Sequence, residues 1–269
     1  MTRAAPVSVV IPCYCCARTI GRAFSSVARQ TLRPAEVILV NDGSVDETSG
    51  VLDTLKNKYG EWVRIVELPA NVGAASARNA GWNVATQPYI AFLDSDDAWH
   101  PRKIEIQYEY MRDNPGVLLS GHLCRQLQEG AANALQWAVE LKNIHKVTWF
   151  GLLLRHQFVT PSVMLKKEIG FRFSEGNRYM EDHRLWLEIV GEPMLTVRLD
   201  VELAAVYKPV YGASGLSADL WNMEKAELAN YHYFRDQGKI PRVQFIVLCC
   251  YSLTKFVKRL MVVYLIRRL

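Results

Sequence analysis

The sequence predicts an α/β fold, an open and mainly parallel sheet with helices on both faces and an apolar helical tail. Three observations lead there. With 269 residues, 50% of them hydrophobic and 22% charged, the chain can bury a full core, which excludes a disordered chain, a collagen and a small disulfide scaffold. Its first hundred residues repeat a short Val- and Ile-rich run, a polar turn and a stretch of helical spacing. Strands alternating with helices imply right-handed crossovers into a parallel sheet. Its last residues, 243–269, are dominated by Phe, Ile, Val, Leu, Tyr and Cys.

The strands are expected at residues 7–11, 37–40, 63–68 and 89–93, with helices at 17–30, 47–59 and 74–85 between them. Ser44 or Asp46 is placed to cap the second helix. From about residue 147 the pattern loosens. Residues 158–165 read as a strand interrupted by Pro161, residues 181–190 as a helix and residues 199–207 as a strand, while 127–143 carries a weak helical signal.

The tail 243–269 has no apolar stretch of the roughly 20 residues that a bilayer crossing needs. Lys255, Lys258 and Arg259 share one face at helical spacing, which suggests an interfacial helix with apolar residues at the headgroup boundary and cations on anionic lipid. The plainer alternative is a helix packed on the body or on a second subunit, as in a homodimer.

The formal net charge is +5, yet seven basic residues and no acidic ones lie from Lys239 onward, which leaves −2 on residues 1–238. The excess belongs to the tail, so nucleic acid is not expected as a partner. The cysteines fall at 13, 15, 16, 124, 249 and 250, neither a disulfide framework nor a zinc site with paired spacings. The cluster at Cys13, Cys15 and Cys16 reads as small apolar lining rather than a redox site. Free thiols suit a reducing compartment, and residues 1–6 are too short and polar for a signal peptide, so the body is expected in the cytosol.

In an open parallel sheet ligands bind outside the carboxyl ends of the strands. Here those ends carry Pro12 with Tyr14, then Asn41-Asp42-Gly43-Ser44, then Pro69-Ala70-Asn71, then Asp94-Ser95-Asp96-Asp97. Hard cations such as Mg²⁺ and Mn²⁺ take carboxylate oxygen, and Mg²⁺ is usually completed by substrate phosphate. In an extended segment Asp94 and Asp96 would point the same way. Asp42 offers an acceptor to a nucleobase or ribose, and Arg78 can neutralise phosphate charge. The dinucleotide signature GxGxxG, the P-loop GxxxxGK[ST] and the nucleophile elbow GxSxG are all missing.

Six segments in order, VSVVIP at 7–12, SVARQT at 26–31, EVILVNDGSVD at 36–46, NVGAASARNAG at 71–81, FLDSDD at 92–97 and ED at 181–182, resemble a family 2 glycosyltransferase of the GT-A fold. The resemblance spans about residues 7–217. It implies one catalytic domain over 1–238, with a nucleotide-binding half to about 110 and an acceptor half to 238, followed by the tail 239–269. It further implies a nucleotide-sugar donor, with UDP the expected nucleotide, Mn²⁺ or Mg²⁺ as cofactor, and a glycan or lipid-linked acceptor at the inner face of the membrane. Position by position, Pro12 and Tyr14 would line the nucleobase pocket, Asp42 contact the base and Arg78 lie near the nucleotide. Asp94-Ser95-Asp96 matches the DxD motif, with Asp94 near the ribose and Asp96 on the metal. Glu181-Asp182 matches the family's acidic pair, whose aspartate is the base in inverting members.

Two departures stand out. Cys15 occupies the position of the Asn in the family's PxYN, and residues 207–217 place Lys208 and Tyr211 where the pattern YRxHxxSxS has Arg and its His nearby. Lys208 and Tyr211, like Glu181, are therefore expected at the diphosphate or the acceptor. His183 points about 100° from Asp182 on a helix and reads as acceptor-side or surface. Trp99, Trp186 and Trp221 are of a type that stacks on an acceptor sugar, but core packing is the expected role of each. The rival readings are a sugar nucleotidyltransferase, which needs a Gly-rich basic loop after the first strand that residues 12–17 lack, and a non-catalytic sugar-nucleotide-binding membrane scaffold.

Overall fold

A computed structural model describes residues 4–128, 135, 137–207 and 218–266, with side chains through 263. The chain opens with β1 (Ala5–Cys13), α1 (Ile20–Ala28), β2 (Pro34–Asp42), α2 (Thr48–Tyr59), β3 (Val63–Leu68), α3 (Ala74–Val84) and β4 (Tyr89–Phe92), the alternation that the spacing predicts. The N-cap of α2 is Glu47, which makes no side-chain cap; Asp46, one residue earlier, accepts the Thr48 N–H at 3.1 Å. These four strands are parallel and lie in the order β3-β2-β1-β4. The chain therefore runs outward from β1 to β3 and returns on the other side of β1. That reversal opens a crevice at the carboxyl ends of β1, β2 and β4, where a doubly wound sheet binds its ligand.

Strand side chains alternate between two cores with the period of a strand. Val7, Val9 and Ile11 of β1 pack with Ile20, Phe24 and Leu52 of α1 and α2. Val10, Ile38, Val40 and Phe92 pack on the opposite face with Trp82 of α3. Gly81 lets α3 approach the sheet, since a Cβ there would lie 2.4 Å from Val10 Cγ1.

The second half is mixed. It contributes β5 (Ala98–Trp99), α4 (Lys103–Asp113), β6 (Val117–Gln126), β7 (Ile144–Lys146), α5 (Trp149–Leu154), β8 (Met164–Lys166), α6 (Glu181–Val190) and β9 (Leu195–Val206). β8 is antiparallel to β4 and β6, β6 is parallel to β9, and β5 and β7 are antiparallel to β9. Two expectations are corrected here. Residues 158–165 form a strand only from Met164, because Thr160–Ser162 closes a 3₁₀ turn around Pro161, which has no N–H for a ladder. No helix occurs among the described residues of 127–143.

Two long helices close the fold, α7 (Leu220–Asp236) and α8 (Arg242–Ile266). No helix among the described residues is long and apolar enough to cross a membrane. α8 turns its polar groups toward α7. Ser252 donates to Glu224 at 2.7 Å, Arg259 pairs with Glu224 at 2.7 Å and Lys255 with Glu227 at 2.6 Å. Of the three cations expected to face lipid, Lys255 and Arg259 are thus drawn against α7 and partly buried. The outward face carries Val243, Ile246, Val247, Leu253, Val257 and Met261, all exposed. Trp99 and Trp186 are buried as expected, whereas Trp221 stands exposed at the start of α7.

Candidate active site

Each wall of the crevice is built by a short loop. β1 ends at Cys13, one residue after Pro12, and Tyr14 projects half exposed beside Cys15, whose φ is +45°. The Cys15 and Cys16 N–H groups donate to Ser44 Oγ at 3.1 Å and Thr48 Oγ1 at 2.9 Å, so this loop is tied to the one after β2. There, Gly43 adopts φ +65°, and a Cβ at that position would lie 2.6 Å from the Ala70 carbonyl carbon, so only glycine fits. Asp42 is buried, and its two carboxylate oxygens accept the N–H groups of Val72 at 2.8 Å and Gly73 at 3.0 Å. In this structure it holds the segment leading into α3.

The acidic cluster differs from the extended arrangement that alternation assumed. β4 stops at Phe92, and the Asp97 N–H donates back to the Asp94 carbonyl at 3.1 Å. Asp94, Ser95, Asp96 and Asp97 therefore form a turn. Asp94 faces Arg78, Asp97 accepts the Tyr207 N–H at 3.4 Å, and the Asp96 carbonyl accepts from Arg22, whose guanidinium stacks 3.8 Å over the Tyr207 ring. No local pattern marks Arg22, which arrives from α1.

Arg78 links the two halves. Its Nη2 donates to Asp94 at 2.7 Å and its Nη1 to Glu181 at 3.0 Å, with the guanidinium buried over Phe173. An arginine fork suits two carboxylates better than a lysine does. Burial works against the charge, but Asp94 and Glu181 outweigh it and hold Arg78 protonated. Glu181 itself is pushed up to about 7, first by burial and then by the neighbouring Asp182 charge, against the pull of Arg78. Arg78 thus bridges the β4 turn and the start of α6.

Asp182 occupies the first turn of α6, where the positive end of the helix dipole favours an anion. Its Oδ1 accepts the His183 N–H at 2.7 Å and its Oδ2 the Thr160 hydroxyl at 3.3 Å, while the side chain remains 19% exposed. His156 Nε2 lies 3.8 Å from the same Oδ2, buried and with no hydrogen-bond partner. Neither Thr160 nor His156 was foreseen, since both reach Asp182 only through the tertiary fold. His183 is not at the surface. It is 1% exposed, bonded to the Leu152 carbonyl at 3.0 Å, and lowered to about 4 by burial and by His156. Lys208 and Tyr211 lie outside the described residues.

Among the described residues no cluster of three or more His, Cys, Asp or Glu side chains is arranged to hold a metal. The donor set at the β4 turn is hard carboxylate oxygen, which fits a cation completed by phosphate oxygens of a ligand rather than one caged by protein.

The sequence model described as Glycosyl transferase family 2 matches residues 8–169. A curated relative from Escherichia coli, UDP-Glc:alpha-D-GlcNAc-diphosphoundecaprenol beta-1,3-glucosyltransferase WfaP, is 38% identical over 193 residues, covering 69% of this chain and 70% of the relative. The amylovoran biosynthesis glycosyltransferase AmsE of Erwinia amylovora is 29% identical over 90% of this chain and 88% of its own length. Among solved structures, S. aureus TarS 1-349 superposes with a TM-score of 0.64 at 17% identity over 92% of this chain and 70% of that one. Its complex with UDP-GlcNAc gives 0.63 at 18% identity, over 84% and 66%.

Proposed function

The chain belongs to glycosyltransferase family 2, and from that membership we propose that it transfers a sugar from a UDP-sugar to a hydroxyl of a glycan or lipid-linked acceptor, with inversion at the anomeric carbon. The observation that carries this reading is the Arg78 bridge. By binding Asp94 and Glu181 together, it sets the acidic turn beside the helix start that bears Asp182. One side of the crevice then suits a diphosphate and the other a proton acceptor, which is what a single displacement requires.

In this reading Pro12 and Tyr14 flank the base, Asp42 shapes the pocket and offers its remaining lone pairs, and Asp94 and Ser95 face the ribose. Arg78 offsets the charge of the acids around it. Asp96 would hold Mn²⁺ or Mg²⁺, which when bound neutralises charge developing on the departing diphosphate. Asp182 takes the proton of the attacking hydroxyl. Its Oδ1 is occupied by its own helix and Thr160 orients Oδ2, so the proton arrives at Oδ2. Glu181, Lys208 and Tyr211 are assigned to the diphosphate or acceptor side.

The relatives support the donor and acceptor chosen. WfaP is named for UDP-Glc and a diphosphoundecaprenol acceptor, AmsE for polysaccharide synthesis, and TarS was solved with UDP-GlcNAc. A lipid-linked acceptor calls for the membrane surface, and the outward apolar face of α8 with its basic flanks suits peripheral attachment at the cytosolic side. A homodimer through that face is the competing use. The test is to incubate the chain with Mn²⁺, a panel of nucleotide sugars and lipid-linked acceptors. Release of a nucleoside diphosphate with an inverted product, lost in Asp96→Ala and Asp182→Asn, is expected. Release of pyrophosphate, or full transfer by either variant, would overturn the assignment.

A further inference from the structure

His156 stands beside Asp182 without bonding it. Its Nε2 lies 3.8 Å from Asp182 Oδ2, enclosed and with no hydrogen-bond partner, although the side chain as a whole is 30% exposed. The ring therefore meets water on a side away from Asp182. Its place is fixed by the end of α5, where three helices take the last carbonyls: His183 of α6 binds that of Leu152 at 3.0 Å, Tyr231 of α7 that of Leu153 at 3.0 Å and Lys255 of α8 that of Leu154 at 3.4 Å. Just past His156, Arg198 of β9 donates to Gln157 at 3.5 Å. The ring also packs against His183, with 4.7 Å between centroids and 83° between planes. A cationic imidazole would close on a carboxylate to about 2.8 Å. The open gap instead suits an Nε2 that offers a lone pair and awaits a proton.

We propose that His156 is a proton relay: Asp182 takes the proton of the acceptor hydroxyl on Oδ2 and hands it to His156 Nε2, which delivers it to water. The proposal rests on the reading of Asp182 as the base. As the acceptor oxygen bonds the anomeric carbon, its O–H bond breaks, the bond from sugar to phosphate leaves its electron pair on the diphosphate, and an Oδ2–H bond forms. That hydrogen then faces the lone pair of Nε2, and its passage across gives a carboxylate and an imidazolium. An imidazole is the stronger base by about two to three pH units, so the transfer runs downhill. Because Nε2 has no bond to the protein to break, the ring can turn outward through its exposed side and release the proton. One proton reaches solvent for each sugar transferred. His156 acts through Asp182 and need touch no substrate atom.

The same geometry makes the base sensitive to acid. Once His156 carries a proton before the acceptor arrives, it closes on Oδ2 and the hydroxyl finds no free oxygen there. The other ionisable groups around it do not compete. His183 of α6, lowered to about 4 by burial and by His156, stays neutral above that pH. Glu227 of α7 and Lys255 of α8 pair with each other at 2.6 Å, and Glu181 is turned to Arg78 at 3.0 Å.

The test compares the parent with His156→Gln, whose amide keeps hydrogen-bonding reach but carries no proton, and with His156→Ala, in steady-state transfer assays with Mn²⁺ across the pH range. A fall in kcat of about tenfold or more is expected in both, with KM for donor and acceptor nearly unchanged. The acid limb of the profile should move to lower pH in His156→Gln, and added imidazole should restore His156→Ala. Parental kcat with an unmoved limb in His156→Gln would leave His156 a packing role alone and overturn the relay. Crystals of the parent grown at low and at neutral pH read the contact without any transfer. The 3.8 Å gap should close to about 2.8 Å in acid, and a gap that stays open in both would overturn the inference. A parent that closes the gap yet transfers no sugar would overturn the functional reading instead.

Discussion

Arg78 is the single side chain that joins the acidic turn to the start of α6. A lysine there keeps one charge but cannot bridge Asp94 and Glu181 at once. Arg78→Lys is expected to lower the transfer rate at least tenfold, roughly the effect of a misplaced reacting group, with a smaller change in UDP affinity, as steady-state kinetics and calorimetry together would read. Glu181 supplies a pH signature. Its folded value near 7 lies above the ordinary 4.5, so the stability it contributes is present below pH 4.5 and is lost as pH rises through 7. Glu181→Gln should therefore gain on the parent in thermal midpoint at pH 8 relative to pH 5. His183, lowered to about 4, acts oppositely, losing stability as pH falls below 6.5, but it is present in both proteins and cancels in the difference. Asp94, Asp96 and Asp182 were legible in the sequence as acids at strand and helix ends. His156 and Thr160 were not, because nothing in their local pattern marks residues that meet Asp182 across the fold.

At the scale of elements, the sequence was readable wherever burial is purely apolar. β1, β2, β3 and β4 are Val- and Ile-rich runs with polar turns, and their edges match within a few residues. α4, β6 and α7 went unread for a physical reason. They bury polar groups, Lys103 and Gln107 in α4, Ser120 and His122 in β6, Glu224, Glu227 and Asn230 in α7, and a buried charge erases the periodicity that marks an amphipathic element. Those buried acids fasten α8. Glu224→Ala would take the acceptor from Ser252 and the 2.7 Å ion pair from Arg259, which keeps only Glu227 at 3.5 Å, and weakening such a buried pair costs about 3 kcal/mol, measurable in a urea melt. Deleting the tail outright would uncover the same acids, so attachment to lipid is better tested from outside. Ile246→Gln, Leu253→Gln and Met261→Gln together lie on the outward face and should reduce flotation with anionic liposomes about tenfold. Unchanged flotation would assign that face to protein contact.

For the whole molecule, the decisive feature is the reversal of strand order between β1 and β4. It puts the loops after β1, β2 and β4 on one rim, and Arg78 ties that rim to α6. The acidic turn could be placed at a strand end from the sequence, but its distance to residue 182 could not, because the intervening antiparallel strands and the 3₁₀ turn at Pro161 carry no clear pattern. A crystal of the chain grown with UDP and Mn²⁺ tests this arrangement most directly. The uracil is expected beside Tyr14 and Asp42, the diphosphate and cation over the 94–97 turn, and Asp182 facing the β-phosphate across open space. Nucleotide bound elsewhere, or Asp182 turned away from the diphosphate with Arg78 still in place, would contradict it.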